Sequence, residues 1–372
     1  MYDIVIKNGI LIDSSQRISE KMNIAITNGR VTDVGRNINS TSGKKVIDAS
    51  NEIVVPGFID FHVHVYYGAT PLGIDADSYC LTKGATTVVD AGSSGLHTFL
   101  GFKKYIIEQS NTRIYALLSI CSIGLTAAKT NVYLIDDRFF NVKESYKLIK
   151  ENRAHIIGVK WHHSYGLKAL LFARELANIS NCFLMCENSA YLHYPLENVL
   201  KFMKKGDVLT HIFQGGPNPG ILDEDGKISS EVIKAVNHGI ILDVGHGSKS
   251  FSFKIAEKAL EEGIKPHIIS TDLYNENLNG PVFDLPTTLS KFIALGLDLE
   301  EVIETVTTNP AKLIGVESIG NLKPNSFADI VIIRLVNGNF KYVDCYGEIK
   351  KANKKIIPRI VIKNGKILFN NL

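Results

Sequence analysis

The chain opens and closes on the same phrase: residues 4–9 and 360–365 both read Ile-Val-Ile-Lys-Asn-Gly. β-Branched residues followed by Asn-Gly are a hairpin signal, because a type I′ turn needs positive φ at both central positions. Between β-formers the pair occurs at Asn8-Gly9, Asn28-Gly29, Asn337-Gly338 and Asn364-Gly365, each within the first 30 or last 36 residues. The termini are therefore expected to form one small β-sandwich domain from residues 1–52 and 316–372, interrupted by a central domain of residues 53–315. Within that stretch short apolar runs alternate with amphipathic segments. The runs at 53–60, 86–91, 113–121, 155–160, 182–187, 207–211, 239–244 and 266–271 read as strands, separated by helical patterns such as Leu167–Asn178 and Phe253–Glu262. Eight strands alternating with helices predict an α/β fold, a (β/α)8 TIM barrel, whose chemistry gathers at the carboxyl ends of its strands.

Those ends carry polar groups of one kind. The run Val55-Pro56-Gly57-Phe58-Ile59-Asp60-Phe61-His62-Val63-His64 closes on two histidines one residue apart. Side chains at i and i+2 of a strand share a face, so the two imidazoles leave it side by side and can hold one cation. Ile156-Ile157-Gly158-Val159 closes on Lys160, Gly206-Asp207-Val208-Leu209-Thr210 on His211, and Ser270-Thr271 on Asp272. Burial at a strand mouth depresses a lysine's pKa, and the neutral amine is the form that takes up carbon dioxide as a carbamate. By position alone, a lysine binding an anion or snorkelling to solvent is the simpler reading. A lone histidine is usually structural, and an aspartate after a strand is usually a helix cap. Together they make five ligand-type groups on four strand ends.

The Pro-Gly-Phe-Ile-Asp-Phe-His-Val-His stretch resembles the first barrel strand of the amidohydrolase superfamily of metal-dependent hydrolases. Gly84-Ala85-Thr86-Thr87-Val88-Val89-Asp90-Ala91-Gly92, Gly206 to His211, Asp243-Val244-Gly245-His246-Gly247 and Ser270-Thr271-Asp272 are similar to its deacetylase-like, or dihydroorotase-like, branch. The resemblance spans nearly the whole chain. It implies that His62, His64, Lys160, His211 and Asp272 ligate one or two Zn2+ ions, with Lys160 as a bridging carbamate and Asp272 also the proton-transferring base. Relatives end the fifth strand in a metal-binding histidine. Here Leu184-Met185-Cys186-Glu187-Asn188 puts Glu187 at that position, with Cys186 and His193 as rival donors. A carboxylate can ligate zinc, and its added hardness could favour Mn2+. His246, flanked by glycines that let backbone approach a ligand, reads as either a substrate-binding or a structural residue. His162 and His163 read as a solvent-facing loop.

The implied activity is cleavage of an amide or acyl ester by a metal-activated hydroxide, deacylating a small N- or O-acylated amino or hydroxy acid. The alternatives are a cyclic amidohydrolase of the dihydroorotase or hydantoinase type and a non-catalytic binding scaffold. Composition excludes other classes. A net charge of +3 and a pI near 8.4 are too mild to argue for nucleic acid or an anionic membrane. A small-molecule substrate fits, and oligomeric state is left open, a homo-oligomer included. Five cysteines without a CxxC pair are no disulfide framework. With no signal-type N-terminus and no run of 18 apolar residues, the expected location is cytoplasmic.

Overall fold

The computed structural model describes residues 1–129, 134–189, 195–216 and 220–371. Two sheets organise them. The N-terminal part supplies β1 (Tyr2–Asp13), β2 (Ile18–Thr27), β3 (Arg30–Gly35), β4 (Gly43–Asp48) and β5 (Ile53–Pro56). A parallel sheet follows: β6 (Phe58–Val63), β7 (Ala85–Ala91), β8 (Arg113–Ser119), β9 (Ile156–Lys160), β10 (Phe183–Glu187), β11 (Val208–Thr210) and β12 (Ile241–Leu242), each beside its neighbour in the chain. β13 (Ile330–Val343), β14 (Ile349–Lys363) and β15 (Lys366–Asn370) then return to the first sheet. Its order is β15-β14-β13-β5-β1-β2-β3, with β4 also on β1. Both chain ends share it because β5 pairs parallel with β1 and antiparallel with β13. Its hydrogen bonding is that of one mixed sheet.

The parallel strands are near-continuous apolar runs because both of their faces are covered. In β6 and β7 every residue is buried. The helices that follow the strands bury one stripe. Phe253–Glu261, close to the expected 253–262, buries Phe253, Ile255, Ala256 and Ala259, the spacing of an amphipathic helix. Gly166–Ile179 likewise covers the expected 167–178.

Three expectations are corrected. The run 53–60 is two strands in two sheets, divided at Gly57. A Cβ there would lie 2.1 Å from Thr86 Oγ1, so the chain crosses between sheets where only glycine fits. Of the four Asn-Gly pairs, Asn28-Gly29 and Asn364-Gly365 do turn hairpins. Asn8-Gly9 and Asn337-Gly338 instead lie where the registers of β1 and β13 shift. The positive φ that suits a turn also suits a bulge, and Asn8 adopts φ 67°. Finally, 266–271 forms no ladder. That segment makes one parallel bridge to each edge of the curled seven-stranded sheet, Asp243 with Ile268 and Val63 with Leu273. Left-handed backbone at Gly245, Gly247 and Asp272 keeps the contact irregular, yet Gly247 N donates to Thr271 O at 2.9 Å and Asp272 N to His62 O at 2.7 Å.

The two sheets are bolted together at Asp329, which accepts from Lys363 Nζ at 2.7 Å and Asn364 N at 2.9 Å and pairs with Arg113 of β8. The turn between β13 and β14 reaches further, to the loop after β12: Cys345 N donates to Phe251 O at 3.0 Å and Tyr346 Oη to Lys249 O at 2.8 Å. All five cysteines are free. No helix among the described residues is long and apolar enough to cross a membrane.

Candidate metal centre

The carboxyl end of the parallel sheet brings six of the seven expected site residues together. His62 and His64 share a face of β6 and its exit, their rings 5.6 Å apart between centroids and nearly perpendicular. Opposite them, Asp272 Oδ1 lies 3.1 Å from His64 Nε2 and 3.6 Å from His62 Nε2. That oxygen is buried and has no hydrogen-bond partner. An unsatisfied buried carboxylate oxygen costs on the order of 1–3 kcal/mol or more, and a cation shared with the two imidazoles would remove the cost. One ligand atom from each residue lies within 4.8 Å of the others.

What stands behind the histidines decides which nitrogen faces the centre. Thr210 Oγ1 donates to Asp243 Oδ2 at 2.6 Å, so toward His62 Nδ1, 3.0 Å away, it can only accept. His62 therefore carries its proton on Nδ1 and turns the Nε2 lone pair to Asp272. His211 Nδ1 donates to the carbonyl of Gly245 at 2.6 Å, which frees its Nε2 in the same way. His64 Nδ1 rests 3.0 Å from Ser93 Oγ. This is the backing that a metal site requires of its outer shell, where the second ring nitrogen fixes the first. Burial, then the charge of Lys160, holds the His62 pKa well below the ordinary range, so the ring is neutral and able to ligate. Burial also pushes Asp243 up to about 6 and Asp60 up to about 7, against the hydroxyls of Ser270 and Thr271 that bond them.

Glu187, at the end of β10, is the centre of a second group. Its Oε1 is 2.7 Å from Lys160 Nζ and 3.8 Å from His211 Nε2. Its Oε2 is 2.8 Å from His163 Nδ1, 3.2 Å from His163 N and 3.6 Å from His162 Nε2. Burial alone would raise this carboxyl. The charges of His162 and Lys160 and the bond from His163 outweigh it and hold the pKa well below the carboxylate range. Burial would lower His211 too, but Glu187 and Asp272 outweigh it and its pKa rises.

Of the two rival donors, Cys186 does not join. It alternates to the opposite face of β10 and packs into the apolar core, while His193 lies outside the described residues. His246 is not in the cavity either. Its ring is buried, stacks on Phe251 at 4.4 Å, and spends Nδ1 on Gly247 O at 2.9 Å and Nε2 on Lys291 Nζ at 2.6 Å. The flanking glycines approach neighbouring site residues, not a ligand: a Cβ on Gly245 would meet His211 Nδ1 at 2.7 Å, and one on Gly247 would meet Asp272 Oδ2 at 2.5 Å. Conversely, His162 and His163 are no solvent loop. A histidine pair within three residues of the strand-ending lysine was the available signal.

His62, His64, His162, His163, Glu187, His211 and Asp272 line a cavity of about 580 Å³, walled also by Leu72, Leu125 and Leu134 and by Ser248 and Tyr274, hydroxyl to hydroxyl. A larger hollow of about 990 Å³ beside Arg17 and Lys312 contains no donor cluster among the described residues.

The Amidohydrolase family model matches residues 142–368. A deacetylase of Brucella anthropi is 34% identical over 343 residues, covering 90% of this chain and 84% of its own. A crystal structure of an adenine deaminase superposes with a TM-score of 0.91 at 33% identity, covering 100% of both chains. One of a dihydroorotase does so with 0.90 at 31%, covering 99% of each.

Proposed function

The chain belongs to the amidohydrolase family, and from that premise we propose that it removes an acyl group, such as acetyl, from a small N- or O-acylated amino or hydroxy acid. It is a metal-dependent hydrolase. The observation that carries this reading is the convergence of His62 Nε2, His64 Nε2 and the unpartnered Asp272 Oδ1 on one point of the cavity floor. A divalent cation held there, Zn2+ or Mn2+, lowers the pKa of bound water towards about 7 and polarises a carbonyl.

The remaining work falls to the chain's own groups. Thr210 and the Gly245 carbonyl keep His62 and His211 in the tautomers that face the centre. Asp272, with a free carboxylate oxygen, accepts the water's proton and returns it to the leaving nitrogen or oxygen. The leucine wall takes the apolar part of the substrate and keeps bulk water from the reacting carbonyl. Lys160, packed so closely on Gly92 that a Cβ there would lie 2.8 Å from its Cγ, carries a carbamate in the loaded enzyme. With Glu187 and His211, that carbamate helps hold a second ion. Intact-mass spectrometry under native conditions checks this as a gain of one carbon dioxide that Lys160→Ala lacks; wild type without the gain removes the carbamate.

The same reading makes segment 266–271 the eighth stave of a barrel that starts at β6, within the central domain of residues 53–315, and puts the enzyme in the cytoplasm, where five free thiols are at home. Cyclic amide hydrolysis is the second reading, favoured by the near-complete superposition on the dihydroorotase structure. Metal-loaded and chelator-treated protein should be offered acetylated amino and hydroxy acids, dihydroorotate, hydantoins and adenine. Metal-dependent acetate release is expected. Turnover confined to the rings would overturn the deacylase assignment.

A further inference from the structure

We propose that His162 and His163 are cation ligands, which complete a second metal site with Glu187 from the loop after β9. This rests on the metal-dependent reading above but concerns residues that reading leaves out. The donor set is two imidazoles and a carboxylate, one ligand atom from each lying within 4.8 Å of the others.

The local fold delivers them. Trp161 continues the ladder past Lys160 by donating from its backbone N to Met185 O at 3.0 Å, and its fully buried indole is pinned by Nε1 to Gly166 O at 3.0 Å. Between those two anchors the chain has room only for a single tight turn, His163–Tyr165. The turn folds both histidine rings back over the end of β10. They stack at 4.3 Å between centroids, with 28° between planes. His162 Nδ1 is taken by Ser164 Oγ at 2.7 Å, which directs Nε2 to Glu187. His163 reaches the same carboxylate oxygen with Nδ1 at 2.8 Å.

The chemistry follows from charge and softness. Glu187 faces four basic side chains, Lys160, His211, His162 and His163. A site made of a carbamate, a carboxylate and the single imidazole of His211 would be hard and anionic. Two imidazole nitrogens shift it towards zinc and cobalt. The strand that ends in a carboxylate is thus compensated by a loop that brings nitrogen.

The test is equilibrium dialysis of metal-depleted protein against Co2+, read by metal analysis and by the visible d–d absorption of the bound ion. Wild type, His62→Ala, His163→Gln and the double variant His162→Ala/His163→Ala are compared. His163→Gln keeps a hydrogen-bond donor for Glu187 and guards against misfolding, which circular dichroism monitors. Wild type is expected to bind two equivalents. His62→Ala should lose one, and the double variant should lose the other. His163→Gln should weaken that second ion by more than the roughly 10–100-fold typical of losing an outer-shell partner, with a changed d–d spectrum. Two equivalents with an unaltered spectrum in the double variant would overturn the proposal, as would a wild type whose single ion survives it. A wild type that binds no Co2+ sinks the metal-dependent reading itself.

Discussion

Two histidine pairs, one on a strand and one on a loop, meet at this centre, and only the first could be read directly from spacing. His62 and His64 are two residues apart on an extended strand, so their common direction follows from the pleat. His162 and His163 are adjacent, which on a strand would send them to opposite faces. They reach the same carboxylate only because the chain leaves the extended conformation after His162 and turns. Periodicity specifies direction while the backbone stays regular and carries no information after it stops. The pairs also differ in support: His62 and His64 are buried, with Thr210 and Ser93 behind them, whereas the His162 side chain is 29% exposed.

The strand pair is broken most completely through the residue opposite it. Asp272→Asn keeps the size and removes the charge that takes up the proton. Turnover should fall by roughly 10²–10⁴-fold, the range of general acid–base catalysis, with the fold intact by circular dichroism. Near wild-type rates on the acylated substrate would take Asp272 out of the mechanism.

Next in size is the shell behind the strand pair. Thr210→Val preserves shape but removes the acceptor 3.0 Å from His62 Nδ1 and the hydroxyl that Asp243 accepts, leaving only Asp243 Oδ2 at 3.6 Å to hold that nitrogen among the described residues. Affinity for the first ion should drop by roughly 10–100-fold, measured by competition with a metallochromic chelator. An unchanged affinity would mean that the tautomer is fixed by something else.

How much of this was legible follows the same line. The terminal sheet, the parallel strands and their order could be expected because each is a run of regular backbone with a clear apolar pattern. Gly57 was not recognised as a boundary, since a glycine inside an apolar run does not say that its two halves belong to different sheets. Asn8-Gly9 and Asn337-Gly338 satisfy the same torsional preference in a bulge as in a turn. At the site, the strand ends put His62, His64, Lys160, Glu187, His211 and Asp272 where they were expected. For His246 the sequence leaves a substrate-binding and a structural role open, because a residue between two glycines can rotate either way, and Lys291 with Phe251 draws it inward.

Gly247 probes the irregular side of the centre more gently. It adopts φ 51°, and a Cβ would sit 2.5 Å from Asp272 Oδ2. Gly247→Ala should cost about 1–2 kcal/mol in chemical denaturation from the left-handed backbone alone. Because the added methyl displaces the Asp272 carboxylate, turnover should fall proportionally further than stability. Equal losses in both would reduce Gly247 to a fold residue.

The smallest effect expected is on the loop pair. Ser164→Ala deletes the hydroxyl 2.7 Å from His162 Nδ1, but the backbone N–H of the same residue, 3.2 Å from that nitrogen, remains. Water can reach the partly exposed ring, and stacking on His163 still limits its rotation. A hydrogen bond replaced this way is worth about 0.5 kcal/mol, or roughly a factor of two. Second-ion affinity in Ser164→Ala should therefore stay within that factor of wild type in the Co2+ dialysis, while Thr210→Val loses ten times more at the first ion. If Ser164→Ala cost as much as Thr210→Val, the loop histidine would depend on a fixed tautomer just as the strand histidine does. The difference between a ligand placed by a buried strand and one placed by an exposed turn would then disappear.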